Sequence, residues 1–108
     1  MYLPHIDVCE RPSEIVILVE IPGVDREDVS LGWQDQVLTI SGRKKRRSIE
    51  TNVHYLCAER DYGPFRREIA IGIPIDHHKA RAELRNGVMK IYLPKTQRDE
   101  AGIRIPID

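Results

Sequence analysis

Apolar and polar positions alternate with a period of two along most of the chain. "EIVILVEI" (14–21) carries Ile15, Ile17, Val19 and Ile21 on one face and Val16 and Leu18 on the other. That predicts a central strand buried on both sides. Val29, Leu31 and Trp33 alternate in "DVSLGW", as Leu38 and Ile40 do in "QVLTIS". "FRREIAI" sets Phe65, Ile69 and Ile71 on one side, with Arg67 among them. Ala80, Ala82 and Leu84 stand opposite Arg81, Glu83 and Arg85, and Met89, Ile91 and Leu93 stand opposite Lys90 and Tyr92. Between these last two runs Asn86-Gly87 is a strong hairpin signal, since both residues tolerate positive φ. Pro22-Gly23, Ser41-Gly42 and Tyr62-Gly63-Pro64 supply turn chemistry between the other runs. Asp25 to Asp28 has room for a short helical turn and little more. The pattern predicts an all-β fold, an antiparallel immunoglobulin-like β-sandwich of about 7–8 short strands.

Two stretches stand outside this pattern. Residues 43–60, "RKKRRSIETNVHYLCAER", are long for a hairpin loop, and connections above about a dozen residues are usually functional or disordered. The stretch opens with the basic run Lys44 to Arg47 and closes on the strand-like "VHYLCAE". A strand alone in a loop has unpaired backbone groups along both edges and needs a partner, a second copy of the chain included. The other stretch is the tail "EAGIRIPID", in which Ile103, Ile105 and Ile107 share one face of an extended segment. Such a face calls for an apolar groove.

Length and charge narrow the functions on offer. At 108 residues the chain is one domain by size, with a sandwich over 1–95 and an extension over 96–108. Hydrophobic residues at 41% and charged residues at 31% are ordinary for a folded soluble domain. A formal net charge of zero gives no overall field toward nucleic acid or an anionic membrane, so neither is expected as a partner. No signal peptide and no apolar run near 18 residues is present, so neither export nor anchoring is expected. Cys9 and Cys57 are too few and too far apart in sequence for a zinc site or a disulfide scaffold, and a reducing cytoplasm is the simplest compartment.

No catalytic constellation emerges. The serines, Ser13, Ser30, Ser41 and Ser48, sit in no nucleophile elbow. No glycine loop cradles a phosphate. His77-His78 on a strand would point to opposite faces and lacks a supporting cluster, so no metal is expected. The chain is read as a non-enzyme without cofactors.

Four segments carry a resemblance. "PHIDVCERPSEIVILVEIPGVDREDVSL" resembles the opening of the α-crystallin domain of small heat-shock proteins, with its P-x-x-D and E-x-P-G-V pieces. "ERDYGPFRREIAI" is similar to that family's E-R-x-x-G-x-F-x-R segment, and "ARAELRNGVMKIYLPK" to its A-x-L-x-N-G-V-L signature with trailing L-P-K. "IRI" in the tail matches the family's I-x-I motif. The likeness runs over roughly residues 4–107. Met89 stands where the family usually has Leu, Gly72 where it usually has Pro, and the family's long N-terminal arm is not in this chain.

The resemblance implies an ATP-independent holdase that binds partly unfolded client proteins and assembles with itself, as a dimer and then a higher oligomer. It also implies the bacterial and plant type of strand exchange. "HYLCAE" (His54, Tyr55, Leu56, Cys57, Glu59) of one protomer would add to the partner's edge at Ile6 and Val8, with Arg67 paired to Glu59 of either protomer. The tail isoleucines would enter a slot formed by Val29, Leu31, Ala82 and Leu84, where the small Ala82 leaves room. Two tail registers fit, Ile103 with Ile105 and Ile105 with Ile107. Cys9 and Cys57 lie on the strands expected to pair, which leaves an intermolecular disulfide open. Other readings are a CS-domain-like co-chaperone or adaptor on a related sandwich, and a metal-dependent hydrolase, for which only His77-His78 speaks.

Overall fold

The computed structural model describes residues 2–46 and 52–96. Among them seven strands form two antiparallel sheets. The larger contains β1 (His5–Glu10), β2 (Glu14–Glu20), β7 (Val88–Pro94) and β6 (Arg81–Arg85), in that order across the sheet. The smaller contains β3 (Val29–Gln34), β4 (Val37–Lys44) and β5 (Gly63–Ala70). This is the expected all-β sandwich.

The core sits between the sheets and is built from the alternation itself. Ile15, Ile17, Val19 and Ile21, with Met89, Ile91 and Leu93 of the neighbouring strand β7, pack against Leu38, Ile40 and Phe65 of the other sheet in one buried cluster. Each fully buried isoleucine contributes about 1.5–3 kcal/mol relative to exposure. β2 is central, as its sequence predicts, but no layer among the described residues covers its second face. Val16 is buried there by its own row of the sheet, Cys9, Val16, Tyr92 and Arg81. The Arg81 guanidinium lies 4.1 Å from the centre of the Tyr92 ring and helps roof that row. Leu18, flanked by Asp7 and Lys90, stays half-exposed.

Turns set the registers. Asn86 (φ 54) and Gly87 (φ 77) close the β6–β7 hairpin in the form expected for that pair. A second two-residue hairpin joins β3 to β4 through Asp35 (φ 52) and Gln36 (φ 64), with no glycine. Asp35 suits its position, but Gln36 stands where a glycine would advertise the turn, and Gln seldom adopts the left-handed region. Gly42 answers a different demand. A Cβ there would lie 2.4 Å from the Asp28 carbonyl oxygen and 2.6 Å from Phe65 Cζ, so the close approach of the core ring requires its absence.

Several local expectations need correction. β4 runs on to Lys44, paired with Gly63, so the long excursion spans 45–62 and not 43–60. The described part of its basic run, Lys44 to Arg46, stays largely exposed while making surface contacts. Lys44 Nζ lies 4.6 Å from the centre of the Tyr2 ring, Lys45 pairs with Asp28 at 3.1 Å, and the Arg46 guanidinium is 4.7 Å from the centre of the Tyr55 ring. His77 and His78 lie in a short 3-10 turn, not on a strand, with ring centres 4.1 Å apart. Backbone bonds from Lys79 to Asp76 and from Ala80 to His77 tighten that turn, which brings the adjacent rings together.

Residues 2–4 form a strap between the sheets that sequence alone did not reveal. The Tyr2 hydroxyl donates to the Glu20 carbonyl at 3.2 Å, its ring meets Phe65 edge-on at 5.8 Å, and its amide reaches the Pro64 carbonyl. Burial pushes the Tyr2 hydroxyl above its ordinary pKa, and the charges of Glu20 and Asp61 push the same way. Pro4 beside it is fully buried.

Candidate functional site

Three features expose what the sandwich does not cover. The first is a groove along its open side, where β3 and β6 are the outer strands of their sheets. Period-2 alternation aims Val29, Leu31 and Trp33 from β3, and Ala82 and Leu84 from β6, toward this opening. Val29, Leu31, Ala82 and Leu84 together line a cavity of about 500 Å³, with Met89 in its wall and Arg26, Glu83 and Arg85 at its rim. Leu31 and Ala82 also line an adjoining cavity of about 260 Å³, with Trp33, Ala80, Leu38, Ile91 and Leu93. The four groove residues named from sequence thus stand together. Trp33 and Ala80 belong with them and were missed, although their place in the same alternation was the available signal. His77 lines the second cavity too, a position its sequence neighbours do not betray.

The second feature is the free edge of β1. Its partner on one side is β2, and no strand among the described residues pairs with its other edge. Val8 is 48% exposed and Ile6 half-buried. An open edge carrying apolar side chains invites another strand.

The third is the excursion between β4 and β5. Its described residues 52–62 form no strand within the chain. The expected "HYLCAE" strand therefore has no ladder of its own here. A strand needs a neighbour to hydrogen-bond, and none of the seven strands pairs with the described part of this segment. His54 and Glu59 are exposed, Tyr55 is 53% exposed and Leu56 95%. The stem is clipped by stacking: Arg46 lies over Tyr55 and, at 5.6 Å, over Tyr62, while Arg60 is 5.2 Å from the centre of the Tyr62 ring.

Arg67 is not paired with Glu59 inside the chain. Its Nη1 donates to the Pro4 carbonyl at 2.9 Å, and the Glu59 carboxylate instead accepts from the Cys57 thiol at 3.6 Å. A carbonyl dipole satisfies an inward-facing guanidinium at lower desolvation cost than a second charge. Cys9 and Cys57 are both free thiols and exposed. Among the described residues no group of three or more His, Cys, Asp or Glu is placed to hold a metal, and no helix is long and apolar enough to cross a membrane. The tail residues Ile103, Ile105 and Ile107 lie outside the described residues.

Comparison with known proteins decides the kinship. The model of the Hsp20/alpha crystallin family matches residues 7–108. The chain belongs to the Hsp20/alpha crystallin family. A curated relative, small heat shock protein C2 of Rickettsia felis, is 34% identical over 95 residues, which cover 88% of this chain and 62% of that protein. The chain thus spans about three fifths of that relative's length. Among solved structures, heat shock protein 16.0 of Schizosaccharomyces pombe matches all of both chains at 33% identity with a TM-score of 0.85. A small heat-shock protein from Xylella fastidiosa, described as having a distinct high order structure, matches 99% of this chain and 97% of its own at 30% identity with a TM-score of 0.79. The sandwich described above is therefore an α-crystallin domain, with the groove on one side and the free β1 edge on the other.

Proposed function

We propose that this chain is an ATP-independent holdase that binds partly unfolded proteins and self-assembles through its exposed β surfaces. The observation that carries the reading is Leu56, 95% exposed in an excursion whose described residues form no ladder. A large apolar side chain so placed is stabilised only by a partner. The free β1 edge, with Ile6 and Val8, is the surface such a strand fits. Glu59 travels with that strand, and on docking it would approach the region of Arg67 and Pro4. The high order structure of the Xylella fastidiosa protein supports self-assembly of this chain as well.

The second contact joins tail and groove. Burial of two isoleucines contributes about 1.5–3 kcal/mol each, while ordering a tail costs about 1–2 kcal/mol per residue. One tail therefore binds weakly, and several in a closed assembly hold by effective concentration while each exchanges. The mechanism has no reaction step. Grooves and edges freed by exchange bind the apolar surface of unfolding clients and limit their self-association. A cytoplasmic setting suits two exposed free thiols.

The test is light scattering of a heat-labile protein without nucleotide. Near-stoichiometric amounts of the chain should suppress aggregation, and undiminished scattering would remove the holdase reading. Size exclusion of the Ile103→Ala, Ile105→Ala, Ile107→Ala triple variant should show dimers in place of higher oligomers. An unchanged elution volume would remove the tail contact.

A further inference from the structure

Alternation sorts the outer edge of β1 into two kinds of side chain. Ile6 and Val8 stand opposite Val19 and Ile17, both fully buried, so their row faces the core. His5, Asp7 and Cys9 stand opposite Glu20, Leu18 and Val16 on the outer face, and all three are exposed. The excursion divides in the same way. In an extended strand Leu56 and Ala58 fall on one side, Cys57 and Glu59 on the other. Seating Leu56 in the row of Ile6 and Val8 therefore puts Cys57 and Glu59 on the outer face with His5, Asp7 and Cys9. All five are of metal-ligating type. The Cys57 thiol and the Glu59 carboxylate already lie 3.6 Å apart within one chain.

Pairing chemistry selects a register. With the strands antiparallel and Leu56 beside Val8, Ala58 meets Ile6, Glu59 meets His5 and Cys57 meets Asp7. With the strands parallel, the same Leu56–Val8 contact sets Ala58 against Glu10 and His54 against Ile6, each an apolar side chain facing a polar one. Neighbouring strands lie about 4.8 Å apart and same-face residues about 6.8 Å apart along a strand, so in the antiparallel register His5, Asp7, Cys57 and Glu59 stand at the corners of one small rectangle. Cys9 is diagonal to Cys57 on the other side, with Cβ atoms about 7 Å apart, beyond the roughly 4.5 Å that a disulfide spans.

We propose that strand exchange completes a zinc site, with Cys57 and Glu59 of one subunit and His5 and Asp7 of the other as its four ligands. The inference rests on the strand contact proposed above and adds a ligand to it. Bonds of about 2.0–2.3 Å from thiolate, imidazole and carboxylates suit a tetrahedral ion seated over that rectangle. Each subunit supplies only two ligands, in keeping with the finding that no group of three such residues is placed to hold a metal among the described residues of one chain. The Cys57 thiol gives its proton to solvent as its sulfur bonds the ion. A two-fold dimer repeats the contact and holds two ions. Because the ion needs both subunits, zinc tightens the dimer.

The reduced full chain is titrated with zinc by calorimetry, and with cobalt, whose thiolate charge-transfer absorption reports a cysteine ligand. Two ions per dimer are expected, with a dimer dissociation constant lowered at least about tenfold by zinc in analytical ultracentrifugation. Cys9→Ser should bind as the parent does. The double variant Cys57→Ser, Glu59→Gln should bind no zinc, nor should His5→Ala, Asp7→Ala, while both still dimerise. Mixing these two double variants should restore one ion per mixed dimer, because one intact excursion then meets one intact edge. A mixture that binds no zinc, or loss of zinc with Cys9→Ser, overturns this ligand set. A chain that dimerises yet binds no zinc overturns the site and leaves the strand contact standing. A chain that stays monomeric with and without zinc overturns the strand contact itself, and the site with it.

Discussion

The Arg67 guanidinium on β5 donates to the Pro4 carbonyl at 2.9 Å, across 63 residues of sequence. It joins the strap of residues 2–4 to the smaller sheet, beside the edge where a second copy is proposed to dock. Arg67→Ala would leave that carbonyl unpaired next to the fully buried Pro4. A lost hydrogen bond to a charged group costs about 1.5–3 kcal/mol. For a domain of this size that lowers the melting temperature by roughly 5–15 °C. Thermal unfolding followed by circular dichroism checks it, and a melting temperature within a degree of the parent's would refute the role.

Gly42 sits on β4 between Val29 and Phe65 in the ladder. Its missing side chain is what lets the Phe65 ring reach the core. A methyl group there meets backbone on one side and the ring on the other, and only the ring can give way. Gly42→Ala should destabilise the fold by about 2–3 kcal/mol, at the upper end for overpacking. Chemical denaturation should show a lowered midpoint with an unchanged slope.

Gln36 holds φ 64 in the β3–β4 hairpin. A non-glycine residue pays about 1–2 kcal/mol there, against roughly 0.5–1 kcal/mol of extra unfolded-state freedom for glycine. Gln36→Gly should therefore raise stability by about 0.5–1 kcal/mol, with groove and edges untouched. A rise of several degrees in melting temperature with an unaltered oligomeric mass is the expected result.

Leu56 separates assembly from folding. Being 95% exposed, it contributes almost nothing to the stability of its own chain. Leu56→Asp should leave unfolding of the isolated domain unchanged, yet raise the dimer dissociation constant tenfold or more by putting a charge into the strand contact. Analytical ultracentrifugation across a dilution series gives the answer. A dissociation constant equal to the parent's would take Leu56 out of the interface.

Strands were legible wherever a buried face repeats every second residue, as in Ile15 to Ile21 and in Met89, Ile91 and Leu93. The pattern also placed Val29 and Leu31 on one face of their strand and Ala82 and Leu84 on one face of theirs, while the resemblance to a known family, not the pattern, suggested that the two faces share a groove. Other features left no local trace. Asp35-Gln36 lacks the glycine that completes the usual tight-turn pair, and the His77–His78 turn is stabilised by backbone bonds to which side-chain type is nearly indifferent. Arg67 looked like half of an ion pair because a charge on an apolar face demands a partner. That the partner is a carbonyl 63 positions away is beyond any pattern in the chain.

By itself, then, the order of residues determined which side chains lie inside each strand and which turn residues end it, because those choices depend on neighbours one to four positions apart. Tertiary structure alone decided that β3 and β6 become the two walls of one opening, that residues 2–4 strap the sheets together, and that the 45–62 excursion departs and returns at the paired Lys44 and Gly63 with no ladder of its own among its described residues. Each of these depends on which edges are left unpaired once every strand has found its neighbours, and backbone hydrogen bonding between distant segments settles that only in the assembled sheet.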